Sequence, residues 1–277
     1  MNFRRLRLGL ATVLGIARRG FFIPYRYAGE LPGPGERPRY RGIEGLFLRH
    51  RDEFAATHAA INEFAGDLHA IGEDPPPAPR WQQDWFPRLD GAAAYALTRS
   101  RRPSRIVEIG SGHSTRFFCR AITDGNLTTT VTAIDPAPRA VLAGLNVRLI
   151  RRPLHAVGNA AFAELAHGDF LAIDSSHILM PGSDVDQLIN HIIPELPAGV
   201  VVHIHDIFLP DDYPADWSWR AYNEQLAVAA LLHGGGFRPL WASHFAATHM
   251  GMNIAVLDDL PHPPGAHESS LWMEKIR

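Results

Sequence analysis

The sequence predicts an α/β fold: a mostly parallel sheet with helices on both faces. Three observations predict it. Arg105 to Arg116 runs from a short apolar, β-type stretch (Ile106-Val107-Glu108-Ile109) through Gly110-Ser111-Gly112 into a helical pattern, which is the strand, tight turn and helix of a ligand-binding βα unit. Apolar strand runs then alternate with helical patterns to residue 257. Four of the strand ends carry polar side chains, at Glu108, Asp135, Asp174 and His205-Asp206, where ligands bind in open parallel sheets.

In order along the chain, Met1 to Gly20 sets Arg4, Arg5 and Arg7 before the apolar run 8–17, then Arg18-Arg19. The run is too short to span a bilayer, and two arginines stand where an export signal would need small residues. A helix packed on the body or on a partner subunit is the expectation, with a basic amphipathic helix on a membrane surface as the alternative. Phe21 to Tyr27 and the Pro/Gly-rich 31–38 predict an extended connector anchored by its aromatics. Apolar spacings of three and four predict a helix over 51–71, and Pro75-Pro76-Pro77 marks a stiff linker. A boundary there divides an Arg-rich extension, 1–80, from a sheet domain, 81–277.

Within that domain the segment 81–100 opens on Trp85-Phe86-Pro87-Arg88-Leu89-Asp90 and continues as an Ala-rich helix to Thr98, ahead of the strand 106–109. There follow helix 115–123, strand 129–134, helix 139–145, strand 147–150, helix 160–166 and strand 170–173. A helix near 184–195, strand 200–205, helix 219–232 and strands 238–242 and 252–257 complete the pattern.

Composition narrows the function classes. With 277 residues, 46% of them hydrophobic and 20% charged, one large core is expected. The single cysteine, Cys119, excludes an internal disulfide and the paired spacings of zinc modules, and points to a reducing, cytoplasmic setting. Residues 1–52 hold eleven arginines against four acids, net +7, while the remainder is net −9. A basic arm on an acidic body suits a docking segment and disfavours nucleic acid as the body's substrate.

The glycine turn lacks the third glycine of a dinucleotide fingerprint, Thr115 standing in its place, and lacks the Gly-Lys-Ser/Thr of a phosphate loop. Asp135, ending the strand Val131-Thr132-Ala133-Ile134, can accept two ribose hydroxyls. Turn and aspartate together indicate an adenosine-containing ligand with no required pyrophosphate. No Gly-x-Ser-x-Gly elbow supports a hydrolase.

On these residues the chain resembles the class I S-adenosylmethionine-dependent methyltransferases over roughly 81–257. Ile-Asp-Ser-Ser-His (173–177) and His-Asp-Ile-Phe (205–208) are similar to motifs of a bacterial group, methyltransferase family 24-like. The resemblance implies a Rossmann-like, doubly wound seven-stranded sheet with one antiparallel strand. It implies S-adenosylmethionine bound by Glu108, Gly110, Ser111, Gly112, Ser114, Asp135 and Asp174, with 153–155 bordering the adenine. By similarity to metal-dependent O-methyltransferases, Asp174, His205 and Asp206 would hold Mg²⁺ or Mn²⁺, although imidazole is softer than Mg²⁺ normally takes.

The catalytic candidates are Asp174, His177 and His205, either histidine serving as general base toward a small-molecule or sugar-like hydroxyl. The residues leave metal activation and a histidine base both open, and Asp174 and Asp206 as turn caps are the bland alternative. His203 and His205 share one side of an ideal strand, so one is expected in the core. The span 209–225, rich in aromatics and acids, is expected to form an acceptor lid or to pack inward. A non-catalytic adenosyl-binding scaffold and a nicotinamide oxidoreductase are the rival functions. Base methylation is disfavoured by the missing Asn/Asp-Pro-Pro-Tyr/Phe motif, and a homo-oligomer is compatible with the chain.

Overall fold

The structure is a computed structural model describing residues 3–72, 74–252 and 254–277. The chain forms two compact units, 1–37 and 38–277. The first holds helix α1 (Phe3–Val13) and a 3-10 turn at Ala28–Glu30, and leaves Leu10, Val13, Leu14, Phe22 and Tyr25 exposed.

The second unit begins with helices α2 (Arg41–Arg49), α3 (Arg51–Glu63), α4 (Ala65–His69) and α5 (Arg88–Arg101). Strand β1 (Arg105–Ile109), helix α6 (His113–Asp124) and strands β2 (Thr130–Ile134), β3 (Val147–Ile150) and β4 (Phe170–Ile173) follow. Helix α7 (Asp184–Gln187), strand β5 (Val201–Ile204), helix α8 (Glu224–His233) and strand β6 (Phe237–Ala242) come next. Helices α9 (Ser243–Thr248) and α10 (Ala255–Asp258) lead to strand β7 (Leu271–Lys275).

The strand order is β3-β2-β1-β4-β5-β7-β6, with β7 antiparallel to both its neighbours and the remaining pairs parallel. This is the seven-stranded, doubly wound sheet with one antiparallel strand that the sequence resemblance implied. The chain runs outward from β1 to β3 and then returns to β4 on the other side of β1. Loops after β1 and β4 therefore diverge, and the cleft between them is where ligands bind in such sheets.

The central strands β4 and β5 are buried along their whole length. His203 is tolerated inside β5 because its Nε2 lies 3.0 Å from Ser270 Oγ and its ring packs 4.5 Å from Trp272. Burial pushes its pKa down to about 3, so it is a neutral core residue. On one face α5 and α6 approach closely at Gly91, where a Cβ would sit 2.7 Å from the Phe117 ring.

The helices of 41–69 belong to the unit that carries the sheet, on the body side of the boundary expected near residue 80. Phe47 and Phe54 are fully buried, with ring centroids 5.1 and 5.8 Å from Phe245. Thr57 donates to the Leu240 carbonyl at 3.1 Å, covering part of the edge strand β6.

Five expected elements differ. The segment 139–145 is turn and bend, interrupted by Gly144 at φ 94°, and 160–166 holds only a 3-10 turn at Asn159–Ala161. The helix near 184–195 widens into a π turn at Leu188–Ile192 and ends in a 3-10 turn, because Pro194 has no N–H to continue the ladder. The helix expected over 219–232 is split: a 3-10 turn spans Ala215–Arg220, Ala221 turns left-handed at φ 56°, and α8 starts at Glu224. The strand expected over 252–257 is replaced by α10, Asn253 lying outside the described residues. The last strand is instead Leu271–Lys275, beyond the span that the resemblance covered.

Candidate active site

The turn after β1 is built from the inside out. Glu108 is buried, and its two oxygens accept hydrogen bonds from Ser114 Oγ and Thr115 Oγ1, each at 2.5 Å. Thr115 Oγ1 also accepts the Gly112 N–H at 2.9 Å. One carboxyl thereby ties the end of β1 to the first turn of α6. Burial, aided by the nearby charges of Asp174 and Asp135, pushes the Glu108 pKa up to about 8, so it is largely protonated at neutral pH. Glu108 and Ser114, expected to touch cofactor, face each other within the turn and hold its shape.

Gly110 has φ 78°, and a Cβ there would lie 1.8 Å from the Asp174 carbonyl oxygen. No other residue fits, since β1 and β4 are locked together by the Asp174 N–H donating to the Ile109 carbonyl at 2.8 Å. Asp135 Oδ2 accepts both the N–H and the hydroxyl of Ser111 at 2.9 Å, while Oδ1 accepts the Ala137 N–H at 2.8 Å. The end of β2 thus fixes the loop after β1. Space beyond Gly112 is open, and the buried atoms His113 Nδ1 and Ser175 Oγ have no partner. An open glycine cradle flanked by unsatisfied polar atoms fits the amino-acid end of S-adenosylmethionine.

The second half of the site is a set of carboxylates bridged by two imidazoles. His177 Nδ1 lies 2.9 Å from Glu224 Oε2, and its Nε2 lies 3.3 Å from Asp174 Oδ1 and 3.4 Å from Asp206 Oδ2. His205 Nε2 lies 3.2 Å from Asp90 Oδ2, and its Nδ1 lies 3.4 Å from Asp206 Oδ1 and 3.8 Å from Asp174 Oδ1. Side-chain exposure is 38% for Asp174 but 3%, 4% and 8% for His177, His205 and Asp206, so Asp174 is the face presented to the cleft. His177 and Asp206 both sit at left-handed φ, 58° and 59°, a strained backbone that the surrounding bonds hold in place.

Burial alone would lower both histidine pKa values, yet the carboxylates win. Hydrogen bonds to Asp174 and Glu224, with the charge of Asp206, raise His177 well above its ordinary value. Asp206, Asp174 and Asp90 do the same for His205. In return, the two imidazoles hold Asp174 well below the usual carboxylate range against the effect of burial. Four carboxyl groups around two imidazoles leave the pocket rich in negative charge.

Two supporting residues carry no sequence motif. Asp90 is fully buried in α5 and accepts the Ser269 and Ser270 N–H groups at 2.9 Å, besides pairing with His205. Its signal was a lone acid inside the apolar run Leu89–Leu97. Glu224, also fully buried, opens α8, and its Oε1 has no partner.

The segment after β5 lies over this cluster. Tyr222 packs 4.6 Å from the His177 ring. The Arg220 guanidinium stacks 3.8 Å from Trp217, and its Nη1 reaches to 4.0 Å from Asp206 Oδ2. Arg220 Nε is buried and unsatisfied. Trp217 packs on Phe208, whereas Trp219 is exposed.

The residues of the metal set expected from sequence lie close together. Asp174, His205 and Asp206 reach one pocket, His205 Nδ1 lying 3.4 Å from Asp206 Oδ1 and 3.8 Å from Asp174 Oδ1, with the His177 ring against both carboxylates. Among the described residues, the trio whose ligand atoms converge within 4.8 Å of one another is Asp211, His244 and His249. Mg²⁺ or Mn²⁺ at Asp174, His205 and Asp206 does not fit this arrangement, because hard cations require several oxygens directed at one point.

Residues 107–207 match the family described as a methyltransferase domain. No curated protein matches the chain. Similar solved structures include the methyltransferase PaMTH1 of Podospora anserina bound to SAH, at 13% identity and TM-score 0.43, covering 93% of this chain and 100% of that one. The O-methyltransferase TomG of Streptomyces achromogenes in complex with SAM aligns at 15% identity and TM-score 0.43, covering 78% and 90%. An O-methyltransferase from Bacillus cereus in complex with SAH aligns at 13% identity and TM-score 0.39, covering 80% and 91%. Among the described residues no helix is long and apolar enough to cross a membrane.

Proposed function

We propose that this chain, whose residues 107–207 match a methyltransferase domain, uses S-adenosylmethionine to methylate a hydroxyl of a small-molecule acceptor, with His177 as the proton acceptor. The observation that carries this reading is the orientation of His177, held through Nδ1 by Glu224 at 2.9 Å while Nε2 meets the cleft-facing Asp174 at 3.3 Å. An imidazole fixed at Nδ1, with Nε2 turned toward the cleft-facing carboxylate, is placed to pass a proton between that edge of the cleft and the ring.

S-adenosylmethionine supplies an electrophilic methyl group on a positively charged sulfonium. Gly110, Ser111, Gly112 and Asp135 would hold its amino-acid and ribose parts, and the anionic pocket would favour its charge. A hydroxyl is a poor nucleophile until its proton leaves. His177 takes that proton, and Glu224, Asp174 and Asp206 stabilise the imidazolium that results. In the resting protein these carboxylates keep His177 protonated, so it must first release that proton to solvent before it can accept the hydroxyl's. Positive charge brought next to Asp174 and Asp206 lowers its proton affinity and readies it as a base. Most of the remaining rate is alignment.

The test is calorimetric titration with S-adenosylmethionine, followed by product analysis with phenols, catechols and sugars as acceptors. Tight donor binding, an O-methyl product and its loss in His177→Asn are expected. No donor binding, or methyl found on nitrogen or carbon, would overturn the reading.

A further inference from the structure

Asp211, His244 and His249 lie outside the acid and imidazole pocket and take no part in the proposed transfer. Asp211 follows β5 by way of Pro210, His244 sits in α9, and His249 caps α9. Both histidines aim Nε2 at the same oxygen, Asp211 Oδ2, at 2.8 and 2.7 Å. The side chains are 28%, 19% and 20% exposed, so the cluster is largely withdrawn from solvent but reachable.

We propose that these three residues form a transition-metal site of the zinc class. Two imidazole nitrogens and one carboxylate oxygen suit Zn²⁺, Co²⁺ or Ni²⁺ and are too soft a set for Mg²⁺ or Ca²⁺. Three protein ligands leave a further position for water. Two ring nitrogens and a carboxylate oxygen from two separate segments lie within 4.8 Å of one another, close enough for one ion to bind all three.

One cation already competes there. Arg39 Nε lies 2.6 Å from Asp211 Oδ1, and Arg39 Nη2 lies 2.8 Å from His249 Nδ1 and 3.0 Å from its Nε2. Asp211 offers Oδ1 to Arg39 and Oδ2 to the histidines, so an ion at Oδ2 displaces the guanidinium from both ring nitrogens of His249 while leaving its Oδ1 pair in place. The Arg39 side chain is 44% exposed and has room to swing.

The site would join three pieces of the body. Tyr40 N–H donates to the Pro210 carbonyl at 2.8 Å beside it, and Phe208 packs 5.4 Å from His244. A bound ion therefore pins the start of the segment that runs from Asp206 to Arg220, a role independent of the methyl-transfer reading.

The experiment uses the full chain, stripped with chelator and titrated with Co²⁺ under visible absorption, then with Zn²⁺ by competition. One equivalent of Co²⁺ with the d–d bands of a nitrogen and oxygen environment is expected, displaced by Zn²⁺. His244→Gln and His249→Gln are expected to lose that equivalent with the circular dichroism unchanged, and Asp174→Asn to keep it. Arg39→Gln, lacking the competing cation, is expected to bind about tenfold more tightly. No Co²⁺ binding by the wild type, or binding undiminished in both histidine variants, would overturn the proposal. So would an equivalent lost in Asp174→Asn but kept in His249→Gln, or weaker binding by Arg39→Gln.

Discussion

His177 Nδ1 and Glu224 Oε2 face each other at 2.9 Å in a fully buried contact, forty-seven residues apart in the chain. This pair orients the ring whose other nitrogen meets Asp174, and it separates two kinds of loss. His177→Asn is expected to lower kcat/KM by about 10²- to 10⁴-fold, the usual worth of a general base. Glu224→Gln keeps a hydrogen-bond acceptor but removes a charge that raises the His177 pKa, so the acidic limb of the pH–rate profile should move to lower pH. An unmoved limb with the same loss of rate would assign Glu224 to packing alone.

Gly110→Ala places a methyl 1.8 Å from the Asp174 carbonyl oxygen at a backbone φ of 78°. The strand pair must shift, and the expected cost is about 3 kcal/mol or more, from strain and overpacking together. Urea unfolding measures it, and a variant of wild-type stability would show that the loop relaxes freely.

Asp135→Ala releases Ser111 from both of its 2.9 Å bonds and removes the carboxylate proposed to meet the ribose. Donor affinity is expected to fall by about 10- to 100-fold, matching one or two hydrogen bonds to a charged group. Calorimetry with S-adenosylhomocysteine reads this without any acceptor.

Glu108 gives a pH test of stability. Its folded pKa of about 8 exceeds the ordinary value of 4.5, so between those values the folded protein holds a proton that the unfolded chain has released. This group's contribution is full below pH 4.5 and is lost as pH rises toward 8. Glu108→Gln, which mimics the protonated carboxyl, should flatten the fall in stability between pH 5 and 8 by on the order of 2 kcal/mol. Thermal melts across that range check the slope, and an identical slope in wild type and variant would contradict it.

Phe54→Ala tests whether the helices of 41–69 are integral to the body. The ring is fully buried against Phe245 and Trp241, with centroids 5.8 Å from each. A loss of about 3–5 kcal/mol in a single cooperative transition is expected. Two separated transitions would mean that these helices fold as an independent unit.

The parallel strands were legible because their apolar runs are short and bounded by Gly, Pro or acid, and a strand-end carboxylate needs no partner to be noticed. Asp135, Asp174 and Asp206 stand where β2, β4 and β5 end for this reason. Strand β7 was missed: Leu271-Trp272-Met273 has no local mark that sets it above 252–257, and only pairing between β5 and β6 selects it. The helix expected over 219–232 failed for a local reason, the left-handed turn at Ala221.

By itself the sequence determined the sheet's alternation, the glycine turn and the carboxylates that close its strands, because each follows from periodicity or from backbone chemistry within a few residues. Only the tertiary structure decided which groups meet. Glu108 supports the turn from inside, His203 belongs to the core and His205 to the pocket, and Asp90 and Glu224 arrive from α5 and α8 to hold the two imidazoles. A side chain's protonation and role depend on the charges packed around it, and those come from segments up to 115 residues away, as for His205 and Asp90. The glycine turn therefore identified the cleft, while the partners of His177 and His205 gave that cleft its chemistry.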